Sequence, residues 1–296
     1  MLKAILLALM EFISAAIFER RKPVLSWCLF GSCVVAAGGC FLYDQSNRLQ
    51  LTRLRIPCPV QAPFRLIHLS DLHAKAFGKE NRRLIHMVAA QHPDLICITG
   101  DLVNRNLTGN MSAVFSLIEA LAKLCPVAVS FGNHEVDGGQ LECLEQQLKK
   151  LGAMVLVNQM ASLRIKEQTV FLLGLQERWQ PASLATGLAK RLGQAPGLRI
   201  LLSHYPHFFS QPPYNYREYP IHLMLAGHAH GGQVRLPFIG AIFCPGQGFF
   251  PHYAQGCYYE NDCAMVVSRG LGRFPRVFNR PEVIVAELTP QRPVGD

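Results

Sequence analysis

Gly227-His228-Ala229-His230-Gly231-Gly232 sets two imidazoles two residues apart among glycines, just past the apolar run Ile221 to Leu225. Side chains at i and i+2 of an extended chain point the same way, so His228 and His230 are expected to face one point. The glycines permit tight turns and a close approach of backbone to an ion. Upstream, four clusters repeat the arrangement: Asp71-Leu72-His73 after Phe64 to Leu69, Gly100-Asp101 after Leu95 to Thr99, Gly132-Asn133-His134-Glu135 after Val127 to Phe131, and Ser203-His204-Tyr205-Pro206 after Arg199 to Leu202. In open α/β sheets the functional crevice lies beyond the carboxyl ends of the strands, so five such exits predict one shared site.

Singly, each cluster has a plain structural explanation: Gly-Asp is a frequent turn, and Gly-Asn-His-Glu is also what a loop capping a helix looks like. Their joint occurrence is what points to chemistry. Mixed His, Asp and Asn ligation suits borderline ions such as Mn, Fe or Zn, whereas calcium prefers shells made only of oxygen.

The elements between the clusters set the architecture. Helix-like stretches at Lys79–Gln91, Met111–Leu124 and Gly139–Leu151 alternate with short apolar runs, which predicts βαβ units and a sheet buried on both faces. After Gly152 the chain becomes a series of short strand-like pieces, Val155–Val157, Ser162–Ile165, Val170–Leu173, Arg199–Leu202, Ile221–Leu225, Gln233–Leu236, Ala264–Val267 and Val283–Leu288. One more helix-like stretch, near Ser183–Leu192, interrupts them. The simplest architecture is a single α/β domain with two facing sheets and helices outside.

The five clusters, in this order, resemble the pattern of the calcineurin-like metallophosphoesterase superfamily: Asp-x-His, Gly-Asp, Gly-Asn-His-Asp/Glu, a later His, and Gly-His-x-His. The resemblance spans essentially all of Phe64 to Leu288. Leu69-Ser70-Asp71-Leu72-His73, His228 to Pro237, Ser268 to Gly272 and Phe278-Asn279-Arg280-Pro281-Glu282 look similar to its bacterial membrane-associated branch. It implies two mixed β-sheets flanked by helices, a four-layer sandwich. It further implies two divalent ions, one held by Asp71, His73, Asp101 and His230, the other by Asp101, Asn133, His204 and His228. His134 would stand beside the phosphate as the catalytic residue, and a hydroxide bridging the ions would attack phosphorus. The implied activity is a metal-dependent phosphoric ester hydrolase, in the first place a phosphodiesterase. A UDP-2,3-diacylglucosamine pyrophosphohydrolase of lipid A synthesis is the alternative, with a nuclease ranked lower. Glu135 is left between orienting His134 and capping the next helix.

The rest of the 296 residues bears on location and partners. With 50% hydrophobic and 17% charged residues, the chain is neither disordered nor a disulfide miniprotein. Val24 to Tyr43 carries no charge and is about as long as a helix needs to cross a ~30 Å hydrocarbon core, so a membrane span is expected over 24–43. A shorter apolar run, Ala4 to Phe18, is open to three readings: a second membrane segment, an interfacial helix or part of a targeting sequence. Arg20-Arg21-Lys22 would stay cytoplasmic and send the catalytic domain across the membrane, although Arg48, Arg53 and Arg55 weaken that bias. The expected organisation is a membrane anchor over 1–44, a Pro-punctuated linker over 45–63, the catalytic domain over 64–290 and a tail over 291–296.

Of the net charge of +9, Met1 to Val60 holds +4, from seven Lys/Arg against three acidic residues; no basic stripe interleaved with aromatics appears, and no nucleic-acid partner is expected. Lys75, Arg105, Arg235, Arg269 and Arg273 lie near the motifs and are weighed as phosphate holders against an ordinary cationic surface. The six histidines outside the motifs, His68, His86, His92, His207, His222 and His252, are taken as structural or surface groups. Ten cysteines without a CxxC pair argue against a cysteine-based zinc site. Pro206 to Pro220 and Leu236 to Tyr259, both rich in aromatic residues, are read either as an apolar rim admitting a lipid-linked phosphate or as packed loops over a sheet edge.

Overall fold

The computed structural model describes residues 11, 23–106, 108–272 and 275–290, without the side chains of 23–26 and 29. The apolar runs form strands because each alternates its side chains between two buried faces. In β2 (Phe64–Leu69), β3 (Leu95–Thr99) and β4 (Val127–Ser130), Ile67, Leu69, Ile96, Ile98, Val127 and Val129 enter one core while Phe64, Leu66, Leu95, Cys97 and Ala128 enter another. A strand buried on both faces reads as a continuous apolar run, which is the pattern the sequence shows.

These strands belong to a six-stranded mixed sheet in the order β1-β16-β2-β3-β4-β5, with β1 at Gln50–Cys58, β5 at Met154–Val155 and β16 at Glu282–Pro290. The second six-stranded sheet has the order β14-β15-β9-β8-β7-β6. Its members are β6 (Gln159–Ile165), β7 (Gln168–Gly174), β8 (Leu198–Leu202), β9 (Leu223–Ala226), β14 (Gly256–Glu260) and β15 (Cys263–Val267). Each sheet has a run of parallel strands, β2-β3-β4-β5 in the first and β15-β9-β8-β7 in the second; antiparallel pairs β14–β15 and β7–β6 flank the second run, whereas in the first β16 pairs antiparallel with β2 and parallel with β1.

Leu66, Cys97, Ala128 and Ile284 of the first sheet share a core with Leu172, Ile200, Leu223 and Val266 of the second, so the sheets pack face to face. Helices α2 (Arg82–Ala89), α3 (Met111–Ala122) and α5 (Leu141–Lys150) cover the outer face of the first sheet, and α6 (Ala182–Gly193) that of the second. The fold is thus the expected α/β metallophosphoesterase arrangement of two mixed sheets and flanking helices.

Four features sharpen or correct these expectations. First, residues 50–58, assigned to a linker, form β1, paired in parallel with β16 along its whole length. Arg53 and Arg55 and the prolines hid an edge strand whose exposed face has no need to be apolar. Second, of the two readings of the 206–220 segment the packed one holds: Phe209 and Tyr216 are buried in the core outside the second sheet, and Phe208 stacks on Tyr214 at 3.8 Å. Third, the segment between β9 and β14 holds two small hairpins, β10 (Arg235–Leu236) with β11 (Gly240–Ala241) and β12 (Phe243–Cys244) with β13 (Gly248–Phe249).

The fourth concerns the membrane span. Among the described residues no helix is long and apolar enough to cross a membrane, so the span expected over 24–43 is not supported. A helix, α1 (Pro23–Asn47), does run through the stretch, and its last turn, Asp44 to Asn47, is polar. That last turn is docked on the body: Asp44 pairs with Arg280, Gln45 Oε1 accepts the Asn279 N–H at 3.1 Å, and Ser46 C=O accepts from Lys75. The 4–18 run apart from Glu11, the basic cluster before Pro23, and the 291–296 tail lie outside the described residues. All ten cysteines are free thiols, with Cys97 buried in the core.

The two-sheet core gives one direct expectation. Ile200 is fully buried between the sheets, so Ile200→Ala should lower unfolding stability by about 2–5 kcal/mol in urea titrations followed by circular dichroism. An effect below that range would mean the inter-sheet core is loosely packed.

Candidate metal centre

The predicted ligands do meet, but by a different backbone device from strand alternation. Asp71 (φ 52°), His73 (φ 51°), Asp101 (φ 51°), His228 (φ 62°) and His230 (φ 47°) all lie in the left-handed region. They sit in turns just past β2, β3 and β9, not in extended chain, and the turns rotate the side chains onto one point. Non-glycine residues in that region cost about 1–3 kcal/mol each and persist where the surroundings hold them. Gly100 makes the closest approach possible: it has φ 86°, and a Cβ there would lie 2.3 Å from the Gly132 nitrogen.

Asp71, His73, Asp101 and His230 bring one ligand atom each to within 4.8 Å of one another, and Asp101, His204 and His228 do the same. The two groups share Asp101, whose Oδ2 lies 3.4 Å from His204 Nε2, 3.8 Å from His73 Nε2 and 3.9 Å from His134 Nε2. Its Oδ1 accepts the His134 backbone N–H at 2.9 Å, which fixes the carboxylate plane. Asp71 accepts the His228 N–H through both oxygens at 3.2 Å and lies 3.6 Å from His230 Nε2. Asn133 adjoins the second group, and its Oδ1 is buried without a hydrogen-bond partner.

The electrostatics fit cations. Burial lowers His73 to about 4 and His228 to about 3, and holds His230 well below its ordinary value, so these imidazoles are neutral and offer lone pairs. Burial pushes Asp71 up to about 6, against the pull of His204. Asp101 goes the other way: burial would raise it, but His204, His73 and His134 hold it below the usual carboxylate range. Burial would also lower His204, yet the Asp101 and Asp71 carboxylates and the Thr99 carbonyl push it up to about 10. The pocket therefore focuses negative potential between Asp101, Asp71 and His204. His204 Nδ1 lies 2.7 Å from the Thr99 carbonyl and donates to it, which aims Nε2 inward, the second-layer contact a metal-ligating histidine commonly has. Four imidazoles, two carboxylates and an uncommitted amide oxygen suit borderline divalent ions.

Two residues hold this centre together. Glu135 lies in the short helix α4 (Asn133–Asp137) and is buried. Its Oε2 accepts N–H bonds from Asp101 and Gly132, both 2.8 Å, and its Oε1 accepts from Val103 at 3.1 Å. It thus caps its own helix and ties the exits of β3 and β4 together; the His134 ring is oriented instead by the Arg105 N–H, which donates to Nδ1 at 3.1 Å. Burial pushes Glu135 up to about 7, with Asp101 adding to the shift. The second is Asn279, whose Nδ2 donates to the His230 and Gln233 carbonyls at 2.7 and 3.0 Å, a role that carries no metal-type signal in the sequence.

The cleft over the centre has a volume of about 580 Å³. Besides the ligand residues it is lined by Arg105 and by Glu177, Arg178 and Trp179, which follow β7. These last three escaped the sequence analysis because the exit of β7 carries no metal-type motif. Arg105 and Arg178 both pair with Asp137, at 2.7 and 2.5 Å. His207, taken as a structural residue, also lines the cleft. Of the other basic candidates, Arg269 is buried against Glu282 at 2.9 Å and Lys75 binds the end of α1, while Arg235 reaches the Gly231 carbonyl at 3.1 Å; Arg273 lies outside the described residues.

Glu135→Gln keeps the size of the side chain but sets an amide N–H2 against backbone donors. We expect metal affinity or turnover to fall by about 10–100-fold with the fold retained, checked by metal analysis of the purified protein beside circular dichroism. Unchanged metal content and turnover would show that Glu135 does not position Asp101.

Comparison with known proteins agrees with this geometry. The family profile described as calcineurin-like phosphoesterase matches residues 64–232, from β2 through the last ligand histidine. The chain is 31% identical over 239 residues to "Phosphodiesterase YaeI" of Escherichia coli, covering 77% of this chain and 83% of that protein. It is 28% and 29% identical to the metallophosphoesterases YkoQ and YkuE of Bacillus subtilis, covering 78% and 76% of this chain and 85% and 79% of theirs. A hydrolase of phosphoric esters is what this centre and these relatives have in common, and the chain belongs to the calcineurin-like metallophosphoesterase family.

Proposed function

We propose that this protein is a membrane-associated phosphodiesterase that uses two divalent ions, Mn, Fe or Zn, to cleave a P–O bond. The observation that carries it is the pair of buried ligand groups sharing Asp101. Asp71, His73, Asp101 and His230 would hold one ion, and Asp101, Asn133, His204 and His228 the other. Bound there, the ions would supply Lewis acidity toward the phosphoryl oxygens and a water of lowered pKa.

The chain's own residues supply the remainder. Asp101, locked by the His134 and Glu135 contacts, sets the spacing of the two sites. His134 is partly exposed and lines the cleft, and with Nδ1 accepting from the Arg105 N–H its Nε2, 3.9 Å from Asp101 Oδ2, is the ring nitrogen left to meet a bound ester. There it can hold a proton against a phosphoryl oxygen or pass it to the leaving alkoxide, a contribution typically worth 10²–10⁴-fold. Arg105 and Arg178 at the cleft wall attract an anionic ester. Two supports favour the diester class over other esters: YaeI, a relative 31% identical, is named a phosphodiesterase, and a cleft of about 580 Å³ leaves room for groups on both sides of a phosphate. Membrane association rests on the charge-free stretch Val24 to Tyr43, whose described side chains Trp27, Val34, Val35, Leu42 and Tyr43 are exposed along α1.

Hydrolysis of bis-p-nitrophenyl phosphate by the metal-loaded full chain tests the reaction, beside a panel of monoesters, alkyl diesters and nucleoside-diphospho lipids. Asp101→Ala should abolish turnover and lower bound metal. His134→Ala should retain metal but lose about 10²–10⁴-fold, with a larger loss for an alkyl leaving group than for p-nitrophenolate, because only the former needs a proton. Full activity of Asp101→Ala or of His134→Ala would overturn the assignment of these roles, and an equal loss for both leaving groups in His134→Ala would place its proton at the phosphoryl oxygen instead of the leaving group. Preference for the nucleoside-diphospho lipid over every diester would favour the pyrophosphohydrolase alternative.

A further inference from the structure

The two hairpins β10–β11 and β12–β13 form an exposed apolar platform that the proposed reaction does not use. Phe238 is 109% exposed, Phe249 73%, Phe250 68% and Ile239 59%, with Val234, Leu236 and Phe243 also presented to solvent. No Asp, Glu, Lys or Arg occurs from Leu236 to Tyr259. Clustered exposure of this kind is uncommon on a soluble surface and marks an interaction site.

The platform is built as one layer. The Ile242 N–H donates to the Val234 carbonyl at 3.1 Å and the Phe250 N–H to the Ile242 carbonyl at 2.9 Å, which joins the hairpins. The Arg235 N–H donates to the Val277 carbonyl at 3.0 Å, which joins them to exposed Phe278. Phe238 (φ 68°) and Phe250 (φ 54°) adopt left-handed backbone at or beside the turns. Glycine or asparagine would take those positions at lower cost, whereas a bulky residue there is an outlier. Strain borne for an exposed phenyl ring is accounted for by what that ring contacts.

What it contacts follows from its neighbours. Phe278 meets Phe41 of α1 at 5.3 Å between ring centroids, so the platform continues into the charge-free stretch Val24–Tyr43 of that helix. On the other side, Pro245 and Gly246 of the β12–β13 turn line the cleft over the metal ligands. We infer that the hairpin platform is a second membrane contact, which dips Phe238, Ile239, Phe249 and Phe250 into the lipid interface and sets the metal cleft at the bilayer surface. This rests on the membrane association proposed above and adds to it which face meets the lipid. Phenyl rings immersed a few ångströms at the acyl boundary supply affinity by apolar burial, and an uncharged segment avoids the cost of dehydrating charge there. A bilayer is favoured over a protein partner because the platform is continuous with the charge-free stretch Val24–Tyr43 of α1, on which Val34, Val35 and Leu42 are exposed.

The test uses the full chain in phosphatidylcholine–phosphatidylglycerol vesicles. Phe250→Trp, in a Trp27→Phe, Trp179→Phe background, should shift its emission to shorter wavelength on adding vesicles and be quenched by brominated lipid. In parallel, Phe238→Ser, Phe249→Ser and Phe250→Ser combined should leave hydrolysis of a soluble diester unchanged. Turnover of a phosphodiester lipid embedded in vesicles should then fall by about tenfold or more, as three interfacial rings are lost. Emission that ignores vesicles while the protein still sediments with them would overturn the platform's role and leave association through α1 standing. A shift that appears without lipid and grows with protein concentration would overturn it in favour of a second copy as the occupant. Equal loss on soluble and embedded diesters would also overturn it. Failure of the unsubstituted protein on every diester would instead count against the proposed reaction, while the quenching result would still judge the platform.

Discussion

The structure depends on holding two carboxylates and four imidazoles, all needed with defined protonation, around one buried point. Isolated charges there would be expelled or neutralised, because desolvation of a carboxylate costs far more than a single neighbour returns. The protein meets the constraint at Asp101. Its carboxylate is shared between both ligand groups, receives a backbone N–H on Oδ1, and is the partner that raises His204 while the other imidazoles remain neutral. The left-handed backbone at Asp71, His73, Asp101, His228 and His230 is a further cost, borne by the packing of two six-stranded sheets beneath the turns.

Around this centre lies a layer of residues that touch no ligand atom directly but decide where the ligands stand. Glu135 spans two loops, linking three backbone N–H groups to one buried carboxylate. Asn279 fixes the His230 loop through two carbonyls and, through its own N–H, connects that loop to Gln45 at the end of α1. The apolar helix and the metal loop are thus separated by a single side chain. The end of α1, the cleft and the hairpin platform adjoin one another, so under the proposed membrane association the orientation of the body on a surface and the access of an ester to the cleft would be set by the same contacts.

How much was legible beforehand varied with the kind of signal. β2, β3 and β4 were visible because strands buried on both faces are continuous apolar runs ended by motif residues. β1 was not, since an edge strand with one solvent-facing side tolerates Arg53, Arg55 and proline. The Asp71–His73 and His228–His230 pairs were placed together for the wrong local reason: the turns, not strand alternation, bring them inward. Glu177, Arg178 and Trp179 were missed because a cleft wall is defined by what stands opposite it, and nothing in a linear pattern encodes that.

By itself the sequence determined the residue types at each strand exit, hence the candidate donor set and the family chemistry, because the identity of a donor side chain is local. It also determined which segments are too apolar to be left in water without a partner. Only the tertiary structure decided that Glu135 staples Asp101 rather than the His134 ring, that the 206–220 loop is core while the 236–250 hairpins are surface, and that α1 is tied to the metal loop through Asn279. Those outcomes turn on distances between residues far apart in the chain, which are fixed by how the two sheets pack and not by any neighbour in sequence.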